Sequence, residues 1–413
     1  MSCMGYKQGS NSREKISLPA LADTIPLDSF FDRGIADDDC GELVNLALAV
    51  PDIAVVAAGP ASCSRVLYFR AAKKGLHERL FFFPISSNDF TAGQHLQNLE
   101  QSLTQLAASR RSRAILVYVT CADILAGTDF ASITGRIESN YGIPVKVFEW
   151  GPLSRRRMLP KKRLCDIFID LLQQSNRRPS NNYIHLLGDA KLVEPSGLRK
   201  ILMRYSSAGK IREFATLDSY EQFEEMTAGK LNIALDRFGY DLAVSIQKKW
   251  NIPFVFLPAC YNMEEIKGSY GILMEALGTT WDFSQDSKAY HQLAAQTAAA
   301  LAGKQIAVGM GARSFELAYA LTVAGFSVST IFADNVYEND RAYIQALLAR
   351  ESQAQVYLIS NVTGETQAGG FPAIDVAIGE KAAFYCAKAK GIPVSADYRF
   401  GYEGIREIME AMR

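Results

Sequence analysis

Long apolar runs are missing from this 413-residue chain. No uncharged stretch approaches the roughly 20 residues needed to cross a bilayer, and residues 1–17 are polar, without the apolar segment of a secretory signal. The expectation is a soluble, cytoplasmic protein with no membrane partner. Net charge is missing as well. The 44 basic residues balance 44 acidic ones, so no overall field draws the chain to nucleic acid. Histidine is scarce: four are present, His77, His95, His185 and His291, and no two are spaced as a metal pair. With no GxSxG elbow either, zinc and serine hydrolases are disfavoured. No GxxxxGK[ST] loop is present, which removes ATP hydrolysis by that route. The segment Gly309-Met310-Gly311-Ala312-Arg313-Ser314 puts Ser314 where a dinucleotide fingerprint needs its third glycine, so a tight strand-to-helix turn is the plainer reading.

What is present is an ordinary globular composition, 48% hydrophobic and 21% charged, in a chain long enough for about two to four domains. Short β-branched or aromatic runs alternate with amphipathic stretches of helical length. The strand-like runs fall at residues 53–58, 80–83, 114–119 and 145–149, then at 183–187, 213–217, 232–235 and 253–257. The last group lies at 305–308, 327–332, 356–359, 374–378 and 393–396. Such alternation predicts an α/β chain of three Rossmann-like domains, each a mostly parallel sheet flanked by helices. Breaks at the basic, proline-containing stretch near residue 155 and at Gly303-Lys304 suggest the partition. A polar tail spans 1–29, a first α/β domain 30–155, a second 156–302, and a third 303–413 ending in a helix over 402–413. The basic cluster Arg155, Arg156, Arg157, Lys161, Lys162 and Arg163 reads as a solvated linker and helix start.

Seven cysteines remain to be explained: Cys3, Cys40, Cys63, Cys121, Cys165, Cys260 and Cys386. An odd, scattered set in a reducing compartment is no disulfide framework. Three share one kind of address. Cys63 follows the strand at 53–58 and opens a helix, Cys121 follows the strand at 114–119 and opens another, and Cys40 precedes an amphipathic segment. The carboxyl edge of a parallel sheet is where open α/β folds bind ligands, and helix starts favour thiolates. Soft-ligand metal chemistry and simple burial of three small side chains both suit this pattern. Iron–sulfur clusters commonly want four thiolates, so this trio would be incomplete. Cys165 and Cys386 sit inside helical patterns and read as buried thiols, and Cys3 lies in the tail. Cys260 ends a strand of the second domain, alone.

The segments Gly59-Pro60-Ala61-Ser62-Cys63, Thr120-Cys121-Ala122-Asp123-Ile124-Leu125-Ala126-Gly127-Thr128-Asp129 and Tyr141-Gly142-Ile143-Pro144-Val145 closely resemble the cluster-binding domain of nitrogenase component 1. That superfamily also includes cofactor-assembly scaffolds, dark-operative protochlorophyllide reductase subunits and the cyclase of coenzyme F430 synthesis. The resemblance implies metal ligation by Cys40, Cys63 and Cys121, with Gly59 and Thr120 as backbone of the cluster loops. The implied cofactor is an iron–sulfur cluster of four irons or larger at a subunit interface. The implied partners are an ATP-dependent homodimeric iron–sulfur reductase and a second subunit, identical or a sister chain.

Cys260-Tyr261-Asn262-Met263-Glu264 resembles the segment whose cysteine holds the active-site cofactor in nitrogenase α subunits. On that resemblance Cys260, Tyr261 and Tyr398 are candidate cofactor or substrate contacts, with a second metal cofactor near Cys260. The pattern departs late in the chain, where no histidine follows His291 and the corresponding region offers Tyr398 and Arg399. Reduction of dinitrogen itself is therefore not expected. The implied function is an oxidoreductase subunit acting on a bound substrate. A non-catalytic scaffold for cofactor maturation is the alternative within the superfamily, and a cluster-free α/β ligand-binding protein is the alternative outside it.

Overall fold

The computed structural model describes residues 15–22, 37–149, 160–174, 183–194, 196–205, 211–310, 313–333, 336, 339–358, 371–394 and 398–413. The chain divides into two compact units, one within residues 35–258 and the other running from residue 259 onward together with the N-terminal segment. The expected class is α/β with parallel sheets, and that is what the chain folds into.

The unit within 35–258 holds two four-stranded parallel sheets. The first runs in the order Leu80–Pro84, Ile53–Gly59, Ala114–Val119, Val145–Glu149. Its two central strands read IAVVAAG and AILVYV and are buried along their whole length, as a parallel sheet covered on both faces requires. The second sheet runs Ile211–Glu213, Ile184–Leu187, Leu231–Ala234, Phe254–Phe256. Between them the helix Pro160–Gln174 supplies Phe168, fully buried against Phe214, Phe223 and Phe238 at centroid distances of 5.7, 5.5 and 6.1 Å. The first sheet shares this apolar core through Val55 and Leu116, and the helix Asp37–Ala49 through Leu43 and Leu46. Burial of such aromatic rings is a large favourable contribution to this unit.

The strand expected at 213–217 is shorter than the pattern suggested. It occupies Ile211–Glu213, and Phe214–Thr216 turns as a 3-10 helix. Phe214, at the start of that turn, is wholly buried with its ring against Phe168 and Phe238.

The other unit carries a six-stranded sheet in the order Lys15–Ser17, Gln355–Leu358, Val328–Ala333, Ile306–Val308, Val376–Ile378, Lys390–Ile392. All pairs are parallel except the first, in which Lys15–Ser17 runs antiparallel to Gln355–Leu358. A short strand and the helix Leu18–Ala22 thus lie within the stretch read as a polar tail. The C-terminal helix, Glu403–Met412, packs on Ser284–Ala300 and buries Ile405, Ile408, Met409 and Met412. No helix among the described residues is long and apolar enough to cross a membrane.

Candidate functional site

The strands Ile53–Gly59 and Ala114–Val119 lie side by side in parallel, with Ala58 opposite Val119. Each leads at its carboxyl end into a helix. The helix Ala61–Lys73 carries Cys63 as its third residue, and Cys121 is the first residue of Cys121–Ala126, with Thr120 at the cap position. The two cysteines therefore occupy neighbouring helix starts on one sheet edge.

Cys40 is in the first turn of Asp37–Ala49. A tight turn connects that helix to Ile53–Gly59, so the two run in opposite directions. The 13-residue helix is about 20 Å long and the seven-residue strand about 23 Å. Arg79 fastens the opposite end. Its Nη1 donates to Val50 O at 2.8 Å and Ile53 O at 3.0 Å, and its Nη2 donates to Leu48 O. Burial lowers the Arg79 pKa, and the three carbonyls satisfy its guanidinium.

The turn around Cys121 is packed closely. A Cβ placed on Gly59 would lie 2.3 Å from Thr120 Cγ2 and 2.9 Å from Thr120 Oγ1, so only glycine lets the two loops meet. The Thr120 hydroxyl is buried, with no hydrogen-bond partner among the described residues. Two residues beyond Cys121, Asp123 is almost wholly buried, and its Oδ1 lies 3.5 Å from His95 Nε2. Burial raises the Asp123 pKa, and the nearby His95 opposes the rise. Gly127, left-handed at φ 64°, ends the short helix.

The side chains of Cys40, Cys63 and Cys121 lie outside the described residues. Their backbone positions fit an iron–sulfur group. Cys63 and Cys121 stand on neighbouring helix starts at one sheet edge, Cys40 lies in the first turn of another helix, and the loop pair has room for glycine alone.

Cys260 belongs to the other compact unit. Its thiol is buried, 3.7 Å from Ser269 Oγ, and burial pushes its pKa up to about 12. Tyr261 is fixed by Glu316, whose Oε1 accepts from the Tyr261 N–H at 2.8 Å, and by Arg313, whose guanidinium lies 4.5 Å from the ring centroid. Arg313 in turn donates to both Glu316 oxygens, at 2.8 and 2.9 Å, and to Ala259 O. Tyr398 is also buried, with its pKa raised by that burial. A pocket lined by Cys260, Tyr261, Arg399, Gly404 and Glu407 has about 20 Å³ of free space, room for roughly one water. Among the described residues no group of three His, Cys, Asp or Glu side chains is placed to hold a metal ion. The described side chains around the Cys260 thiol are the Ser269 hydroxyl, two buried tyrosines and the Arg313–Glu316 pair.

Cys165 and Cys386 are buried free thiols, and Cys165 Sγ lies 3.6 Å from Phe238 O. Sequence reasoning passed over Arg79, His95, Arg313 and Glu316. A signal existed only for Arg313 and Glu316, which are three residues apart on a helix start and so reach each other. His95 and Asp123 share no local pattern, because it is the fold that brings them together.

A family model described as nitrogenase component 1 type oxidoreductase matches residues 44–413. No curated protein matches the chain by sequence. Among solved structures the chain is similar to nitrogenase Cp1 at pH 6.5, with 15% identity, 90% of each chain covered and a TM-score of 0.63. It is also similar to nitrogenase Cp1 at pH 5, again with 15% identity, over 90% of this chain and 86% of that one, with a TM-score of 0.56. At that identity the structural likeness speaks for the fold. The family match covers nearly the whole chain, and on it the protein belongs to the nitrogenase component 1 type oxidoreductases.

Proposed function

We propose that this chain is a subunit of a nitrogenase-like reductase. It takes low-potential electrons from a separate ATP-dependent homodimeric iron–sulfur protein and delivers them to a bound substrate. The cluster, of four irons or more, is held by Cys40, Cys63 and Cys121 and completed by a second subunit, identical or a sister chain. The observation that carries this reading is the placement of Cys63 and Cys121 on neighbouring helix starts of one sheet edge, with Gly59 and Thr120 in contact beside them.

When bound, such a cluster stores and passes single electrons. The chain's own residues do the rest. Helix starts present backbone N–H groups that favour negative charge on thiolates. The buried strands on either side, and the tight Gly59–Thr120 contact, fix the spacing of the two loops. The chain has no phosphate-binding loop, which agrees with ATP chemistry in another protein. Around Cys260 the buried thiol and Tyr261 line a small pocket with Arg399 and Glu407, and the lack of any histidine after His291 favours a substrate other than dinitrogen.

The test is anaerobic purification with iron and sulfide analysis and EPR, on the wild type and on Cys40→Ala, Cys63→Ala and Cys121→Ala. Iron and sulfide in the wild type, lost in each variant, are expected. A wild type without iron, or variants that keep it, overturn the reading. Turnover with the cognate reductase then separates a catalytic subunit from a scaffold.

A further inference from the structure

We infer that His95 is a positioning residue for the Cys121 turn, an inference that rests on reading Cys121 as a cluster ligand. The helix Cys121–Ala126 is six residues long, far too short to be stable alone, so its orientation is set by what holds it. Two tethers flank Cys121. Before it, Thr120 abuts Gly59. After it, Asp123 meets His95, 3.5 Å between Nε2 and Oδ1, with side-chain exposures of 6% for His95 and 1% for Asp123. Burying a carboxyl group is costly without a polar partner, and the imidazole atom that faces Asp123 Oδ1 is His95 Nε2.

His95 is itself immobilised. Its ring stacks on Phe90 at a centroid distance of 4.9 Å, and Nδ1 lies 3.3 Å from Asp89 O. It sits in the first turn of Gln94–Ala108, a helix anchored in the core by Leu99, Leu103 and Ala107. The ring therefore links a rigid helix to the first turn after Cys121. Groups that orient a metal ligand from behind are worth about 10-fold or more in retention of the metal.

The experiment uses the full chain, purified anaerobically, as wild type, His95→Leu, His95→Gln and Leu99→Ala. Leu99→Ala weakens the same helix away from Asp123. Iron loss to a ferrous chelator and the EPR spectrum of the reduced protein are measured, with the melting temperature of each apoprotein. His95→Leu is expected to lose iron about 10-fold faster with an altered spectrum. His95→Gln, which keeps an amide donor, is expected to recover most of the retention, and Leu99→Ala to lower the melting temperature while leaving the spectrum as in wild type. His95→Leu with wild-type iron loss and spectrum overturns the inference, as does Leu99→Ala reproducing its effects. Absence of iron from the wild type instead overturns the assignment of Cys121 as a ligand.

Discussion

Gly59 lies so close to Thr120 that a methyl group on its Cα would sit 2.3 Å from Thr120 Cγ2. The contact joins the loop before Cys63 to the residue before Cys121. Gly59→Ala is expected to force the loops apart, at a cost of about 1–3 kcal/mol read by urea unfolding, and to reduce iron content. Thr120→Gly in the same chain should restore part of both. If Gly59→Ala unfolds at the wild-type midpoint, the loops are looser than this packing implies.

Two phenylalanines provide a contrast. Phe168 is fully buried among three other rings, and Phe168→Ala should cost about 3–5 kcal/mol. Phe69 is 64% exposed, beside Val66, Tyr68, Phe81 and Phe82, which are exposed too. Phe69→Ser should leave the midpoint within about 0.5 kcal/mol of wild type while lowering fluorescence from an apolar dye. Equal losses in the two variants would mean that the helix Ala61–Lys73 is covered in solution.

Cysteine alkylation reads burial directly. Burial pushes the thiols of Cys165, Cys260 and Cys386 upward, Cys260 to about 12 and Cys386 to about 11, so almost no reactive thiolate exists at pH 8. Peptide mass spectrometry after iodoacetamide treatment should find all three unmodified in the native chain and modified in denaturant. Rapid native labelling of Cys260 would show that its pocket opens.

His185 sets an acid limit to stability. It is buried in the second sheet with Nδ1 3.2 Å from Asn232 Oδ1, and burial pushes its pKa down to about 4 from 6.5. The unfolded chain takes up a proton below pH 6.5 while the folded chain does not. Stability is therefore full above that pH and falls as pH drops toward 4, by about 2 kcal/mol between pH 7 and pH 5. Asp236, raised to about 7 by burial and the neighbouring Asp189, acts in the opposite direction over this range, so the informative quantity is the difference between wild type and His185→Gln. The variant should lack the His185 contribution. Parallel pH profiles would contradict a neutral buried imidazole.

Most of the fold could be read from periodicity because parallel strands buried on both faces are continuous apolar runs, as at Ile53–Gly59 and Ala114–Val119. The addresses of Cys63 and Cys121 followed from strand, turn and helix in succession. Lys15–Ser17 escaped because three residues carry no pattern, and its partner Gln355–Leu358 is distant in sequence. Phe214 escaped because a ring drawn into a core by tertiary contacts looks, in sequence, like one more strand residue. The pairing of His95 with Asp123 was invisible for a related reason, since buried polar partners follow from packing and obey no spacing rule.

The parallel register of Ile53–Gly59 with Ala114–Val119 also has a kinetic meaning. Parallel neighbours cannot close as a hairpin. Everything between them, including the strand Leu80–Pro84 and the helix Gln94–Ala108, has to be threaded into the crossover before Ala58 can face Val119. Such non-local pairing forms late and slowly. Until it forms, the helix starts that carry Cys63 and Cys121 do not share a sheet edge, so any role that needs both residues waits on the completed sheet.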